Sequence, residues 1–319
     1  MDVQIKRYRF SDAINNELKP LYQLDNWHGL LAVLTDYLVV IAAIALSMYS
    51  MWFYPITWLV IGARQRGLST ILHESVHAAL AKNKTLNRAL GTYFSGYLLF
   101  QSFSLYVDSH IKKHHAFLGH KDIDPDYKYQ LDVNMYGSGR KIINWKNPIQ
   151  LLWTYCVYIA KNRMGIFVSR SRDAINGRIY WLVIFLTATY FGYLAELFLY
   201  WIIPLMSSFL IIGWYLELAE HYPMVHNNNV DLYMTRNRFS SKFESLFFSI
   251  HNENYHLIHH LKPRLPFWNL EKAHVILMQD ENYKTANETM GGVFISANTN
   301  KPVIQIYNNI QKSGEIQYG

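Results

Sequence analysis

Nine of the chain's 14 histidines fall in four groups. His73 and His77 stand at i and i+4 in "HESVH", and His110, His114 and His115 stand in "HIKKHH". His221 is alone in "HYP", and His256, His259 and His260 close "HNENYHLIHH". Residues three and four apart project from one face of a helix, so each multi-histidine group can aim its rings at a common point. Imidazole is the commonest protein ligand for Zn, Cu, Fe and Ni. One such pair reads equally well as a solvated helix face, whereas three groups in one chain point to a metal site. Eight or nine neutral imidazoles exceed what one tetrahedral zinc can use and fit two ions of four or five nitrogens each. The single cysteine, Cys156, excludes an intrachain disulfide, a CxxC motif and a thiolate-bound cluster. All-nitrogen ligation leaves Fe, Cu, Zn and Ni open.

The elements that must position these groups are very apolar. Between Leu30 and Ala63 the only charge is Asp36, and between Tyr180 and Leu216 it is Glu196. A helix needs roughly 20 apolar residues to cross a bilayer, so each run is long enough for two crossings. Pro55 breaks the first near its middle, and the stretch from Glu196 to Pro204 breaks the second. A soluble core would need buried runs far longer than the usual helix of ~11–12 residues. None of the 30 Lys and Arg falls inside either run; Lys6, Arg7, Arg9, Arg64, Arg66, Arg163, Arg170, Arg172 and Arg178 flank them. Basic loops stay cytoplasmic, which puts both ends of both hairpins on that side. The N-terminus lacks the pattern of a cleaved signal peptide, so the anchoring is expected to be permanent.

The expected fold is therefore an all-α integral, multi-pass membrane protein with four transmembrane helices in two hairpins. A cytoplasmic helical cap carries the histidine groups. The expected boundaries are a cytoplasmic segment 1–29, a membrane domain 30–282 with hairpins at about 30–63 and 180–216, and a polar, loosely ordered tail 283–319. The second helix of the first hairpin is expected to run on through "RQRGLSTILHESVHAAL". The uncharged residues 89–107 read as a helix or re-entrant segment lying in the interface, and the apolar stretch 149–160 is too short to cross. No internal repeat is present. The net charge of +7 suits this topology and attraction to anionic headgroups of the lipid bilayer. It also suits docking of an acidic soluble partner, such as a small electron carrier or an acyl carrier protein. Basic residues form no run denser than "KRYR", which argues against nucleic-acid binding. A redox metal beside a membrane implies chemistry on a lipid-like molecule.

"HESVH", "HIKKHH" and "NYHLIHHLKPRLPFWNL" resemble, in order, the three histidine boxes of the membrane fatty acid desaturase superfamily. The resemblance runs from about Leu30 to His274, and "HHLKPRLPFWNL" is its most specific part. It implies four spans with the boxes on the cytoplasmic face, binding two non-haem iron ions that activate O2 as co-substrate and remove hydrogen from an unactivated C–H bond. Carried over residue by residue, the ligands are His73, His77, His110, His114, His115, His256, His259 and His260. His221 occupies the place of a further histidine that members often have. Three residues rather than two separate His110 from His114, a spacing variant. The family also implies an external electron donor, a ferredoxin or a b-type cytochrome with its reductase.

Around the ligands, Glu217 stands four residues before His221 as a ligand or supporting partner, and His251 can orient the third box. Asn252 and Asn254 are polar candidates near the metals. Asp122, Asp124 and Asp126 can accept hydrogen bonds from ligand rings and fix their tautomers, or form a solvated turn at Pro125. His120 and His274 read as supporting or surface residues, and His28 and His226 as ordinary ones. The leading expectation is an oxidoreductase of lipid metabolism that places a double bond in an aliphatic, fatty acyl substrate. A hydroxylase and a desaturase of a small non-lipid metabolite share the same boxes. A haem protein would place its histidine pairs within the spans. A non-enzymatic metal transporter would need ionisable groups at membrane depth, where only Asp36 and Glu196 qualify.

Overall fold

The computed structural model describes residues 5–136 and 148–307, except the side chains of 148–151. The described residues are helical, with two isolated β-bridges and no strand, as expected of an all-α chain. They divide into two units that alternate along the sequence. One comprises Leu24–Ser109 and Tyr155–Trp214; the other comprises Met1–Gln23, His110–Thr154 and Tyr215–Gly319.

In the first unit the helix His28–Tyr49 turns back through residues 50–53 into the helix Tyr54–Val76. Pro55 lies in the opening turn of the second helix, where its missing N–H has no helical partner to lose. That helix continues through Arg64 and Arg66 past His73 as expected, but it ends at Val76, short of Leu80, with Ala78 in the left-handed region at φ +56°. The pair is tied by Thr57, whose hydroxyl donates to the Ala43 carbonyl at 2.8 Å, and by Arg64 against the fully buried Asp36 at 3.3 Å. Gly62 lets the Ser208 region approach: a Cβ there would lie 2.2 Å from Ser208 Oγ and 2.7 Å from the Phe209 nitrogen.

The second apolar run is interrupted earlier than expected. Arg172–Tyr190 ends at Gly192, whose φ of +77° suits a residue without a Cβ. The chain is helical again from Leu194, and Pro204 opens a new helical segment instead of making the turn. Two described stretches, His28–Tyr49 and Leu194–Asn227, are long and apolar enough to cross a membrane by length and composition. Tyr54–Val76 carries Arg64, Gln65, Arg66 and Glu74, and Arg172–Tyr190 opens with Arg172, Asp173 and Arg178. Residues 89–107 form an interrupted helix that reverses at Phe100, in the left-handed region at φ +58°, with the Gln101 N–H bonded to the Gly96 carbonyl at 2.8 Å.

In the second unit the N-terminal segment is built into the surroundings of the third histidine group. Lys6 pairs its backbone with Asn229 and Asp231, Lys262 Nζ donates to Asn15 at 2.9 Å, and Asn269 Nδ2 donates to the Leu21 carbonyl at 2.8 Å. Leu18, Leu257, Ile258, Ala273, Leu277 and Tyr283 are all buried in this unit.

The segment expected to be a loose polar tail is folded through residue 307, and 308–319 lie outside the described residues. The helix Glu281–Glu288 is capped by Asp280. The Glu244 carboxylate accepts from the backbone N–H of Val293, Phe294 and Ile295 at 2.7–2.8 Å. Tyr307 is buried and its hydroxyl donates to the Leu218 and Tyr222 carbonyls at the end of the His221 helix.

Candidate metal centre

His110, His114 and His115 lie on Val107–His115, nine residues wound as a π-helix. Its hydrogen bonds run from i to i+5, so residues five apart stand over one another. His110 Nε2 is accordingly 3.0 Å from His115 Nε2. The wider turn absorbs the extra residue in "HIKKHH" and keeps all three rings on one side. His221 sits on the last turn of the helix Ser208–His221. His256, His259 and His260 lie on His256–Leu261, which starts just after a break at His251 and Asn252, with φ of +56° and +57°.

These seven histidines, all of the second unit, form two adjacent nests. In one, His259 Nε2 lies 3.0 Å from His115 Nε2, which is itself 3.0 Å from His110 Nε2. In the other, Nε2 of His256 is 3.0 Å from that of His221 and 3.1 Å from that of His260, and His260 is 3.4 Å from His114. The stacked rings of His115 and His260, with centroids 4.4 Å apart, join the two nests. His110, His114, His115, His221, His259 and His260 are buried.

The nests fit metal ions. Two nitrogens each ~2.1 Å from one ion and 90–109° apart stand ~3.0–3.4 Å from each other, and every pair above falls in that range. His114 Nδ1 meets Asp124 Oδ1 at 2.9 Å and Asp126 Oδ2 at 3.3 Å. A carboxylate there fixes the proton on Nδ1 and turns the Nε2 lone pair toward His260. Lone pairs converging at about 3 Å repel unless a cation or proton lies among them. Burial first, and then the imidazoles of His256, His221 and His114, hold His260 well below the ordinary histidine range, so it is a neutral donor at pH 7. Nitrogen ligands of this number suit iron, copper, zinc or nickel.

Asp124 is fully buried and also accepts from the Gly119 and Asp126 backbone N–H groups at 2.8 and 3.0 Å. Of the acidic group at 122–126, Asp124 and Asp126 therefore face the His114 ring, whereas Asp122 is exposed and its backbone N–H bonds His120. Glu217 is half-buried, and Glu220 faces the third histidine group: its Oε2 lies 3.6 Å from His256 Nδ1. Asn254 exchanges backbone and side-chain hydrogen bonds with the Arg238 main chain, and Asn252 donates to the Phe267 carbonyl at 3.0 Å. The His251 ring packs 5.3 Å from Phe267. His274 bonds the Tyr283 hydroxyl, His226 that of Tyr127, and His28 pairs with Asp25. His73 and His77 belong to the first unit, at the end of Tyr54–Val76, with rings 4.9 Å apart and His73 Nδ1 3.2 Å from Glu74.

Glu220 is the supporting residue that sequence reasoning missed. Its place beside His221 was visible, but the face it takes depends on His256, which is distant in sequence.

The Fatty acid desaturase family model matches residues 49–290. The chain is 37% identical over 311 residues to a dihydrorhizobitoxine desaturase of Bradyrhizobium elkanii, covering 93% of this chain and 88% of that protein. It is 24% identical over 297 residues to an endoplasmic reticulum omega-3 fatty acid desaturase of Nicotiana tabacum, covering 83% and 76%. It is 23% identical over 281 residues to an sn-1 acyl-lipid omega-3 desaturase (ferredoxin) of Synechocystis, covering 80% and 76%.

Proposed function

Because the chain belongs to the fatty acid desaturase family and is a desaturase-type oxidoreductase, we propose that it is an O2-dependent di-iron desaturase of a small non-lipid metabolite. The observation that carries the metal assignment is the pair of adjacent Nε2 nests. His110, His115 and His259 serve one ion, and His114, His221, His256 and His260 serve the other. His73 and His77 complete the set, a role that rests on their match to the first box. The substrate class rests on the 37% identity, across nearly the whole chain, to a protein named for dihydrorhizobitoxine.

When bound, the iron pair supplies the oxidising power that an unactivated C–H bond requires. The chain's own residues do the rest. Asp124 holds a proton at His114 Nδ1, burial keeps His260 neutral, and the enclosed nests exclude water. Electrons come from a separate protein; the Synechocystis relative is named for ferredoxin, and the net charge of +7 suits an acidic donor.

A multi-pass arrangement with two hairpins, four crossings and the nests on the cytoplasmic side is supported by His28–Tyr49 and Leu194–Asn227. The basic residues outside the apolar runs support it too. The relatives at 24% and 23% identity favour a second reading, in which the substrate is a fatty acyl chain on a lipid.

The test is turnover by the iron-loaded protein in detergent, with reduced ferredoxin and O2, on dihydrorhizobitoxine and on a fatty acyl lipid in parallel. Loss of two hydrogens from the first alone supports the non-lipid reading, and from the second alone the acyl reading. Gain of one oxygen identifies a hydroxylase. No product from either, with two irons bound, removes both substrate classes.

A further inference from the structure

Four consecutive residues, Thr235, Arg236, Asn237 and Arg238, are almost wholly buried although two carry full charges. They join the end of the His221 helix to the third histidine group. The Thr235 hydroxyl and the Arg236 N–H both donate to the Glu220 carbonyl, at 2.9 and 3.1 Å. Asn237 accepts the Leu257 N–H at 3.0 Å, in the first turn of the helix that carries His256. Arg238 is 0% exposed; its Nη2 donates to Glu220 Oε1 at 3.0 Å and its Nη1 to the Phe248 carbonyl at 2.7 Å.

The other oxygen of that carboxylate, Oε2, stands 3.6 Å from His256 Nδ1, while His256 Nε2 faces His221 and His260. An unpaired buried charge is costly, and a buried Arg–carboxylate pair holds a fixed direction through the planar guanidinium. Arg238 thus fixes Glu220, and Glu220 faces the side of the His256 ring away from the nest. A carboxylate stands behind the His256 ring at 3.6 Å, as Asp124 stands behind His114 at 2.9 Å.

We infer that Glu220 is a positioning residue for His256, anchored by Arg238, which keeps the ring proton on Nδ1 and the Nε2 lone pair on the metal. The inference rests on the reading of the nests as metal sites. Carboxylates behind a ligating imidazole typically change metal affinity 10–100-fold when removed. The His110–His115–His259 nest supplies an internal control in the same molecule.

The experiment is Co(II) titration of the full-length, metal-stripped protein, followed by visible absorption, for wild type, Glu220→Gln, His256→Ala and the double variant. The wild type is expected to bind two ions. E220Q is expected to bind one of them 10–100-fold more weakly with the other unchanged, and to add no further loss in the H256A background, because the carboxylate acts through that ring. Equal affinity for both ions in E220Q overturns the inference. So does weakening of both ions together, or a further loss in the H256A background, since either assigns Glu220 a general structural role. Wild-type protein that takes up no Co(II) overturns the metal reading itself.

Discussion

The helix His28–Tyr49 leaves Leu31, Leu34, Leu38 and Ile41 exposed along one side and buries Asp36, which pairs with Arg64. The unit with the histidine nests buries Arg236, Arg238, Glu220, Asp124, Asp126 and six of its seven nest imidazoles. The contrast shows two ways of treating polar groups. On the helix His28–Tyr49, charge is kept scarce. Around the nests charge is abundant, and each group is placed against an imidazole, a backbone group or an opposite charge. An isolated polar group is costly in either setting; what differs is how many charged groups are buried.

The contrast can be broken most severely at the nests. His259→Ala removes a central nitrogen and should abolish turnover and lower bound iron, read by elemental analysis of purified protein; wild-type turnover would remove His259 from the ligand set. On the hairpin, Asp36→Ala removes the buried carboxylate that faces Arg64 and should cost about 3 kcal/mol. Thermal unfolding in detergent reads that loss, and Asp36→Leu with Arg64→Met should recover most of it. A smaller change is expected from Asp124→Asn, which preserves shape but removes the carboxylate behind His114. Metal affinity should fall 10–100-fold, about 1.4–2.7 kcal/mol, measured by competition with a chelator.

The smallest effect is that of acid on the metal-free protein. His260 is held below the ordinary histidine range, so as pH falls past ~6.5 the unfolded chain takes up a proton that the folded one resists. Stability should be fully present above that pH and decline below it, by at most about 1.4 kcal/mol per pH unit for this residue. A Tm series from pH 7 to 5 checks the direction; stability that rises on acidification contradicts the burial of a neutral imidazole.

The nests were largely legible because ligand spacing is local. His256, His259 and His260 announce one helix face, and the family motif supplied the grouping of segments that spacing alone leaves open. The π-helical winding at 107–115 was visible only as an odd gap between His110 and His114, since nothing in residue type distinguishes a five-residue repeat from a four-residue one. Glu217 and Glu220 look alike in sequence. The direction Glu220 takes is set by Arg238, 18 residues on, and by His256. The C-terminal segment misled through its composition. Tyr283, Val293, Val303 and Tyr307 are too widely spaced to show a period, yet each is buried. The bend at Gly192 was overlooked because Pro204 is the stronger breaker on paper, and a proline opening a helix does not break it.

The assembly of the nest-bearing unit from three separate stretches has a consequence for how the protein is made. His115 and His259 meet across 144 residues of chain, and that distance must be synthesised before either nest can close. At ~5–20 residues per second, His115 waits about 7–29 s for its partner. The hairpin His28–Tyr49 with Tyr54–Val76 has its halves at hand almost at once. Both nests therefore close late in biogenesis, in a chain whose first helices have already formed, and a truncation before His256 would leave a protein able to build that hairpin but unable to close either nest.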